Sequence, residues 1–249
     1  MTSAHKFAPL EKEPAYRKIA KAIESDIVAG RLKPGEALPT EEALSKMFAL
    51  SRNTVREGLR VLELTGLVER GAAKRLVVRV PDAQDLARNA SKALIHSGVT
   101  FAQIFEALAA IQPQMARLAT RKASTQKNGP QIVAALAACT DELNKAHAGD
   151  HGATLRAAVG FFEIIAQSLD NPVLEIAMLS HTALIHASLE AVIDAAPNAS
   201  ERILVAQQEI TEAINEGDEE LAVEWMTRHI EDLRRGYEVA GVDMEARIG

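Results

Sequence analysis

The segment from Ser51 to Arg56 carries residues whose types and spacing are suited to recognising DNA bases. It reads Ser-Arg-Asn-Thr-Val-Arg. Arg52 and Arg56 are four residues apart, so in a helix they share one face. Arginine can donate two parallel hydrogen bonds to guanine O6 and N7, while asparagine and threonine reach other base edges or phosphates. The segment therefore predicts a major-groove contact made by Arg52, Asn53, Thr54 and Arg56.

The elements that must position this segment form a helix-turn-helix pattern. Apolar spacing predicts a first helix over about 14–29, a short second helix that is capped by Thr40 and ends near Phe48, and a third that starts after Ser51 and ends at Gly66. Val55, Leu59 and Leu62 form the buried stripe of the third helix, opposite its arginines. In an alternative interpretation, Arg52 and Arg56 are surface charges that pair with Glu57 or Glu63.

Two β-rich segments follow the third helix and predict a small hairpin. They are Leu67-Val68 and the run from Leu76 to Val80. Lys74 and Arg75 lie near the tip between them, where cationic side chains can contact a minor groove or phosphates.

The charges of the chain are distributed unevenly and predict two domains. The 249 residues carry a net charge of −6, which by itself argues against a nucleic-acid partner. Residues 1–80, however, hold 15 Lys and Arg against 10 Asp and Glu, a net charge of +5, and the remainder carries −11. We therefore expect a basic domain over 1–80 and a second domain with other partners over 81–249.

The second domain is predicted to be entirely helical. Helices are expected at about 83–97, 101–122, 130–147, 153–169, 172–195, 199–216 and 218–239, separated by Gly, Asn and Pro. Long helices with short connections favour an antiparallel bundle of six to seven helices. The lone Cys139 lies in an apolar run, no stretch has the length of a membrane span or the pattern of a signal peptide, and a cytoplasmic location is expected.

The basic domain resembles the winged helix-turn-helix of the GntR family of regulators. The resemblance covers about 65 residues, from Tyr16 to Ile27, through Gly30 to Glu41 and Ser51 to Leu59, to Leu62 and Gly66-Leu67-Val68. It implies a mainly α fold, three helices with a β-hairpin wing, that binds a palindromic operator as a homodimer. By this resemblance Ser51, Arg52, Asn53, Thr54 and Arg56 contact DNA, and the wing, with Lys74 and Arg75, enters the minor groove. Two features depart from the family pattern: Glu42 replaces a base-reading Arg of the second helix, and Ala72-Ala73 replaces glycine at the wing tip.

The helical domain resembles the effector-binding bundle of the FadR-type branch of that family. The motifs include Gln112-Pro113, the stretch from Phe161 to Asn171-Pro172, and Ala222 to Ile230. Many members of the branch bind a metal through one Asp and three His, and these positions match Ala158, Phe162, Gln207 and His229. Since three of the four side chains cannot ligate a metal, we expect neither a metal nor another cofactor. A site rebuilt from His181, His186 and His229 is the less favoured alternative.

The same positions suggest a pocket for a small-molecule effector. Many members of the branch carry an Arg and a Glu, four residues apart, early in the bundle. These positions match Leu108 and Gln112, so the positive charge that would bind an effector carboxylate is depleted. We expect a largely apolar effector, or one with few carboxylates, contacted by Gln112, Ala158, Phe162, Gln207 and His229. In the alternative, the pocket is closed and forms part of the core.

These patterns together predict a ligand-responsive transcription regulator, most simply a repressor. It would bind double-stranded operator DNA as a homodimer, without a membrane, and be released or re-oriented by its effector. A second hypothesis is a constitutive repressor whose helical domain serves dimerisation alone. Because no nucleophile–base pair, Gly-rich phosphate loop or metal motif is present, an enzyme is the least supported class.

Overall fold

The computed structural model describes residues 13–71, 75–146, 151–195 and 198–248. The chain divides into two compact units, one ending at Asp82 and the other starting at Ala83. Within the described residues, the first unit holds three helices and a two-stranded sheet, and the second is helical. The predicted mainly α class, a winged helix-turn-helix followed by a helical bundle, is confirmed.

The first unit contains the three predicted helices and the hairpin. Their bounds are α1 Ala15–Val28, α2 Glu41–Phe48, α3 Arg52–Leu64, β1 Val68–Arg70 and β2 Leu76–Val78. Both predicted caps are present: the side chains of Thr40 and Ser51 accept hydrogen bonds from the backbone N–H of Ala43 and Thr54, each at 3.2 Å. These bonds satisfy N–H groups that the helices leave free and so fix where α2 and α3 begin.

The core of the first unit lies between the three helices and the sheet. It is built from buried aliphatic side chains, namely Ile19, Ala20, Ile23, Leu38, Leu44, Val55, Leu59, Leu62, Val68 and Val78. Gly58 allows α1 and α3 to approach closely, since a Cβ at this position would lie 2.8 Å from the carbonyl oxygen of Tyr16. The apolar stripe of α3 is thereby held against α1, and its opposite face stays exposed.

The hairpin is antiparallel and pairs Val68 with Val78 and Arg70 with Leu76. The segment before α2 is tied to it, because the backbone N–H of Leu38 donates to the carbonyl of Leu76 at 2.8 Å. Lys74, Ala72 and Ala73, which the sequence places at the wing tip, lie outside the described residues.

The second unit is a bundle of seven described helices around one apolar core. Their bounds are α4 Ala83–Ser97, α5 Phe101–Thr125, α6 Gly129–Lys145, α7 His151–Ser168, α8 Pro172–Ala195, α9 Ala199–Glu216 and α10 Glu219–Val239. The sequence predicts seven helices here, with ends that differ from these by at most three residues. The largest difference is in α5, which continues past residue 122 to Thr125, where the Ser124 and Thr125 hydroxyls donate to the carbonyls of Thr120 and Arg121.

A short connection that begins with a glycine joins α9 to α10 and sets the direction of α10. Gly217 ends α9 in the left-handed conformation, with φ 76°, which glycine adopts without steric cost. Asp218 then caps α10, and its carboxylate accepts from the backbone N–H of Leu221 at 3.0 Å. A short turn of this kind brings α10 back along the bundle, where it packs on α5 and α9.

Among the described helices, no single one is both long enough and apolar enough to cross a membrane. One bent pair, Pro172–His186 with Ser188–Ala195, meets the criteria by length and composition alone. Many of its apolar side chains are core residues of the bundle, among them Met178, Leu184 and Leu189.

Candidate nucleic-acid interface and ligand cavity

The first turns of α3 expose the side chains that the sequence assigns to DNA. Ser51, Arg52, Asn53 and Arg56 are exposed, whereas Val55 is fully buried. Thr54 is half-buried, and its hydroxyl lies 2.8 Å from the Ser51 hydroxyl. The cap and the buried stripe therefore fix where α3 starts and which of its faces is exposed to solvent.

Both arginines of this surface are paired with acidic side chains at the start of α2. Arg52 Nη2 lies 2.9 Å from a carboxylate oxygen of Glu42. Arg56 donates from Nε and Nη2 to Glu41, with the shortest distance 2.9 Å. The hydrogen bond from Arg56 lowers the pKa of Glu41 and raises that of Arg56. The start of α2 is thus joined electrostatically to the exposed face of α3 that carries Arg52 and Arg56.

The alternative pairing of these arginines with Glu57 or Glu63 is wrong. Glu57 pairs with Arg60 one turn along α3, at 2.8 Å, and Glu63 pairs with Arg70 of β1, at 3.0 Å. Residues three apart on a helix are neighbours, which accounts for the first pair. The partners of Arg52 and Arg56 come from α2 instead, because the tight turn at Ala49 brings the start of α2 beside α3.

A polar groove of about 450 Å³ lies beside Arg56 in this unit. Its charged lining residues are Arg56, Arg60, Arg70 and Arg75 with Glu41 and Glu63. Arg60 and Arg70 were missed as candidate residues, although Arg60 lies one turn after Arg56 on the same helix. Arg75, expected near the wing tip, donates from Nη2 to the carbonyl of Leu38 at 3.0 Å, so its guanidinium lies against the segment before α2.

The positions predicted for the effector converge on a small cavity in the bundle. Gln112, Ala158, Phe162 and His229 line it together with apolar side chains that include Leu108. The cavity has a volume of about 20 Å³. A space of this size holds one water molecule.

Gln207 is the fifth predicted position, and it is not among the residues that line this cavity. Its side chain is fully buried, and Nε2 donates to the carbonyl of Ala158 at 3.0 Å. The Gln207 Oε1 atom is buried and has no hydrogen-bond partner among the described residues. Gln207 therefore ties α9 to α7 and leaves one acceptor unsatisfied in the interior.

His229 is buried in an apolar environment. Its ring stacks on Phe162 with the centroids 5.4 Å apart, and burial lowers its pKa from 6.5 to about 4. The imidazole is therefore neutral at neutral pH. The His229 side chain lines both the small cavity in the bundle and a groove of about 380 Å³ on the outside of α9 and α10. Arg202, Trp225 and Asp232 also line this groove.

The residues at the expected metal positions do not fit a metal. Ala158 supplies no donor atom, Phe162 places a ring on His229, and the Gln207 amide is turned to a backbone carbonyl. In the part of the chain that the structure describes, no group of three His, Cys, Asp or Glu side chains is arranged to hold a metal ion. That part includes His181, which is half-buried, and His186, which is exposed.

Two family models match the chain, one for each unit. The model described as bacterial regulatory proteins, gntR family, matches residues 15–78. The FCD domain model matches residues 103–232, which is just over half of the chain. The chain belongs to the GntR family. It combines a helix-turn-helix DNA-binding domain with an FCD domain, and the family is one of transcription regulators rather than a class of enzymes.

Curated relatives of this GntR-family protein are transcription regulators. The repressor NanR of Salmonella newport is 27% identical over 245 residues, which cover 94% of this chain and 89% of that protein. The mannosyl-D-glycerate transport/metabolism system repressor MngR of Escherichia coli is 56% identical over 50 residues, 20% of this chain and 21% of that protein. The solved structure of Streptococcus agalactiae GntR has the same fold, with a TM-score of 0.62, 21% identity, and coverage of 88% of this chain and 99% of that one.

Proposed function

We propose that this protein is a transcription repressor of the FadR-type branch that binds a two-fold symmetric operator as a homodimer. One observation carries the proposal: α3 presents Arg52, Asn53 and Arg56 to solvent from a start fixed by its Ser51 cap and by the buried residues behind it. A recognition helix uses its N-terminal residues to contact base edges in the major groove. The operator's symmetry follows from that of a dimer, in which two copies of α3 meet equivalent half-sites.

Selection from random duplexes tests this proposal directly. The full chain is incubated with a pool of randomised DNA duplexes of roughly three helical turns, and the bound fraction is sequenced through several rounds. We expect enrichment of an inverted repeat whose half-sites lie about one helical turn, or a multiple of it, apart. A pool that remains random, or an enriched single half-site bound by a monomer in sedimentation velocity, contradicts the proposal.

We propose further that a small, largely apolar effector binds at the cavity in the FCD domain and changes DNA binding. The lining supports this chemistry, because Leu108, Ala158 and Phe162 are apolar and His229 is neutral at neutral pH. Gln112 and the unsatisfied acceptor of Gln207 offer polar contacts nearby. A ligand larger than water needs the helices to move apart, and such a movement is a means of altering how two DNA-binding domains are held.

A constitutive repressor is the second candidate, and the small size of the cavity favours it. With a volume of about 20 Å³, the cavity accepts a water molecule and no metabolite without rearrangement. Mass spectrometry of organic extracts from the purified, denatured protein separates the two candidates. The effector is supported if the extract contains a stoichiometric small molecule that, when added back, raises the melting temperature and changes operator affinity. Constitutive binding is supported if the extract contains no such molecule and a panel of apolar monocarboxylates leaves the operator complex unchanged.

We propose that neither function uses a bound metal. Ala158 and Phe162 put apolar groups where ligands are expected, and a single buried imidazole is a poor metal site. Calorimetric titration of the chelator-treated protein with Zn²⁺, Ni²⁺ and Mn²⁺ tests this. Stoichiometric binding of any of the three at micromolar affinity contradicts the proposal.

A further inference from the structure

We propose that Glu42 determines DNA specificity by positioning Arg52 for base recognition. The inference rests on the DNA binding by α3 that is proposed above, and it concerns the ion pair between the two helices of the helix-turn-helix. Arg52 is the first residue of α3, and Glu42 is the second residue of α2. The pair therefore lies where the recognition helix begins.

The geometry shows a carboxylate shared by two cations at an exposed surface. Glu42 lies 2.9 Å from Arg52 Nη2 and 3.2 Å from Lys46 Nζ, and its side chain is 53% exposed. The Arg52 side chain is 61% exposed. Both groups can thus meet DNA without any movement of the buried core, and the three charges together leave a net positive charge.

The ion pair restricts the guanidinium while leaving donors for a base. A guanidinium has five N–H donors in one plane, and the contact with Glu42 runs through Nη2. Nη2 carries two N–H donors, and the one that Glu42 leaves available can face guanine together with the neighbouring donor on Nη1 or Nε, which is the two-donor contact that O6 and N7 accept. A side chain already held in one orientation loses less conformational entropy when it binds, so the matched base is favoured over the others.

The carboxylate also acts against unmatched DNA. A negative charge beside the recognition helix is repelled by phosphates, and that repulsion is the same for every sequence. Only a sequence whose base accepts the oriented Arg52 donors offsets it. Glu42 therefore lowers the affinity for all DNA through its charge, and it raises the ratio of specific to non-specific binding through the orientation of Arg52 alone.

Arg56 provides an internal contrast. Glu41 engages both its Nε and its Nη2, so the two-donor edge of Arg56 already faces a carboxylate. Reading a base bidentately through that edge would require the pair with Glu41 to break. The closest contact of Arg52 with Glu42 is through Nη2, so Arg52 keeps more donors available for a base than Arg56, whose Nε and Nη2 both donate to Glu41.

The test compares full-length wild type with Glu42→Ala, Glu42→Gln, Arg52→Ala and the double variant Glu42→Ala/Arg52→Ala. Each is subjected to selection from the random duplex pool, and each is then titrated at one salt concentration against the wild-type motif and a scrambled duplex. Asp26→Ala is the matched control, because it removes from α1 a carboxylate that pairs with Arg31 after the helix, and it leaves α2 and α3 unchanged. Thermal melting verifies that each variant is folded.

The base that Arg52 contacts is identified as the operator position that loses its preference in Arg52→Ala. At this position, we expect Glu42→Ala to reduce the base preference by at least about fivefold. It should also bind the scrambled duplex more tightly. Glu42→Gln keeps an acceptor oxygen but not the charge, so its base preference and its affinity for the scrambled duplex should lie between those of wild type and Glu42→Ala. Asp26→Ala should match wild type in both. In the Arg52→Ala background, Glu42→Ala should change no base preference.

Two results overturn the inference while leaving the proposed function intact. One is an equal gain in affinity of Glu42→Ala for both duplexes with an unchanged motif, which would make Glu42 a general repulsive charge. The other is a base preference that still depends on Glu42 in the Arg52→Ala background, which would mean that Glu42 contacts a base itself. If the wild-type pool remains random, the proposed function fails and the inference fails with it.

Discussion

Arg52 and Arg56 share a face of α3 but differ in how they are held, since Arg52 contacts Glu42 and Arg56 donates from two nitrogens to Glu41. We expect the double variant Arg52→Ala/Arg56→Ala to lose most discrimination between operator and scrambled duplex, because removal of a bidentate base contact costs about tenfold or more. Fluorescence anisotropy with labelled duplexes measures both affinities. The control, Arg17→Ala/Lys18→Ala, removes two cations from α1 and should keep the discrimination. Operator binding as tight as wild type by the α3 variant would remove α3 from the interface.

His229 makes the stability of the FCD domain dependent on pH. Burial lowers its pKa from 6.5 to about 4, so the unfolded chain binds this proton more readily than the folded one. The contribution of the neutral imidazole to the free energy of unfolding is complete above pH 6.5 and is lost as the pH falls from 6.5 to 4. The full shift corresponds to roughly 3 kcal/mol of unfolding free energy. Urea denaturation at a series of pH values measures the loss.

A histidine variant assigns that pH dependence. His229→Gln should lower stability at pH 7 and flatten the curve between pH 6.5 and 4. A part of the slope should survive, because burial also lowers the pKa of His181. A curve for His229→Gln that runs parallel to wild type would show that this imidazole is not buried in the folded protein.

Helical periodicity predicts which side chains of α3 are exposed but not which residues they pair with. The exposure of Arg52 and Arg56 and the burial of Val55 follow from helical periodicity, and the structure agrees. Their pairing with Glu42 and Glu41 depends on how α2 and α3 cross, which no spacing along the chain specifies. For the same reason, Gln207 was expected in the pocket, although its amide lies against the backbone of Ala158.

At the scale of the elements, α1 and α3 are held together at a glycine. We expect Gly58→Ala to destabilise the DNA-binding domain by about 1–3 kcal/mol, because the added Cβ would lie 2.8 Å from the Tyr16 carbonyl oxygen. Circular dichroism during urea denaturation measures the change. Gly160→Ala is the matched control in α7, where the added Cβ would make an ordinary 3.6 Å contact with Cys139 Sγ.

The control should be neutral or slightly stabilising, because alanine is the better helix former. Equal effects of the two substitutions would show that helix propensity, rather than the approach of α1 to α3, decides the outcome at Gly58.

The helices themselves were largely predictable, and Gly58 shows where that predictability ends. Caps at Thr40 and Ser51 and the stop at Gly217 are local signals, so the ends of α2, α3 and α9 follow from neighbouring residues. A glycine inside a helix gives no such signal. Its role depends on which helix packs against it, and that is known only from the three-dimensional arrangement.

At the scale of the whole molecule, net charge is a poor guide to binding, because the +5 of residues 1–80 is offset by the acidic remainder in the total of −6. We expect operator affinity to fall steeply with salt despite that negative total, since binding releases counterions only from the phosphates that are contacted. Measured by anisotropy from about 50 to 200 mM salt, a dimer that contacts roughly six to ten phosphates should lose about 10³–10⁵ in affinity.

The variant Arg60→Ala tests whether a cation of α3 contributes to the salt dependence of binding. Arg60 is exposed on α3 and lines the polar groove beside Arg56, so Arg60→Ala should weaken binding to all duplexes similarly. It should also lower the slope of log affinity against log salt by about one for each phosphate that Arg60 neutralises. Arg234→Ala removes an exposed arginine from α10 of the FCD domain and should leave the slope unchanged. Equal slopes for wild type and both variants would mean that Arg60 contacts no phosphate, while a lower slope for Arg234→Ala would bring the FCD domain into the DNA interface.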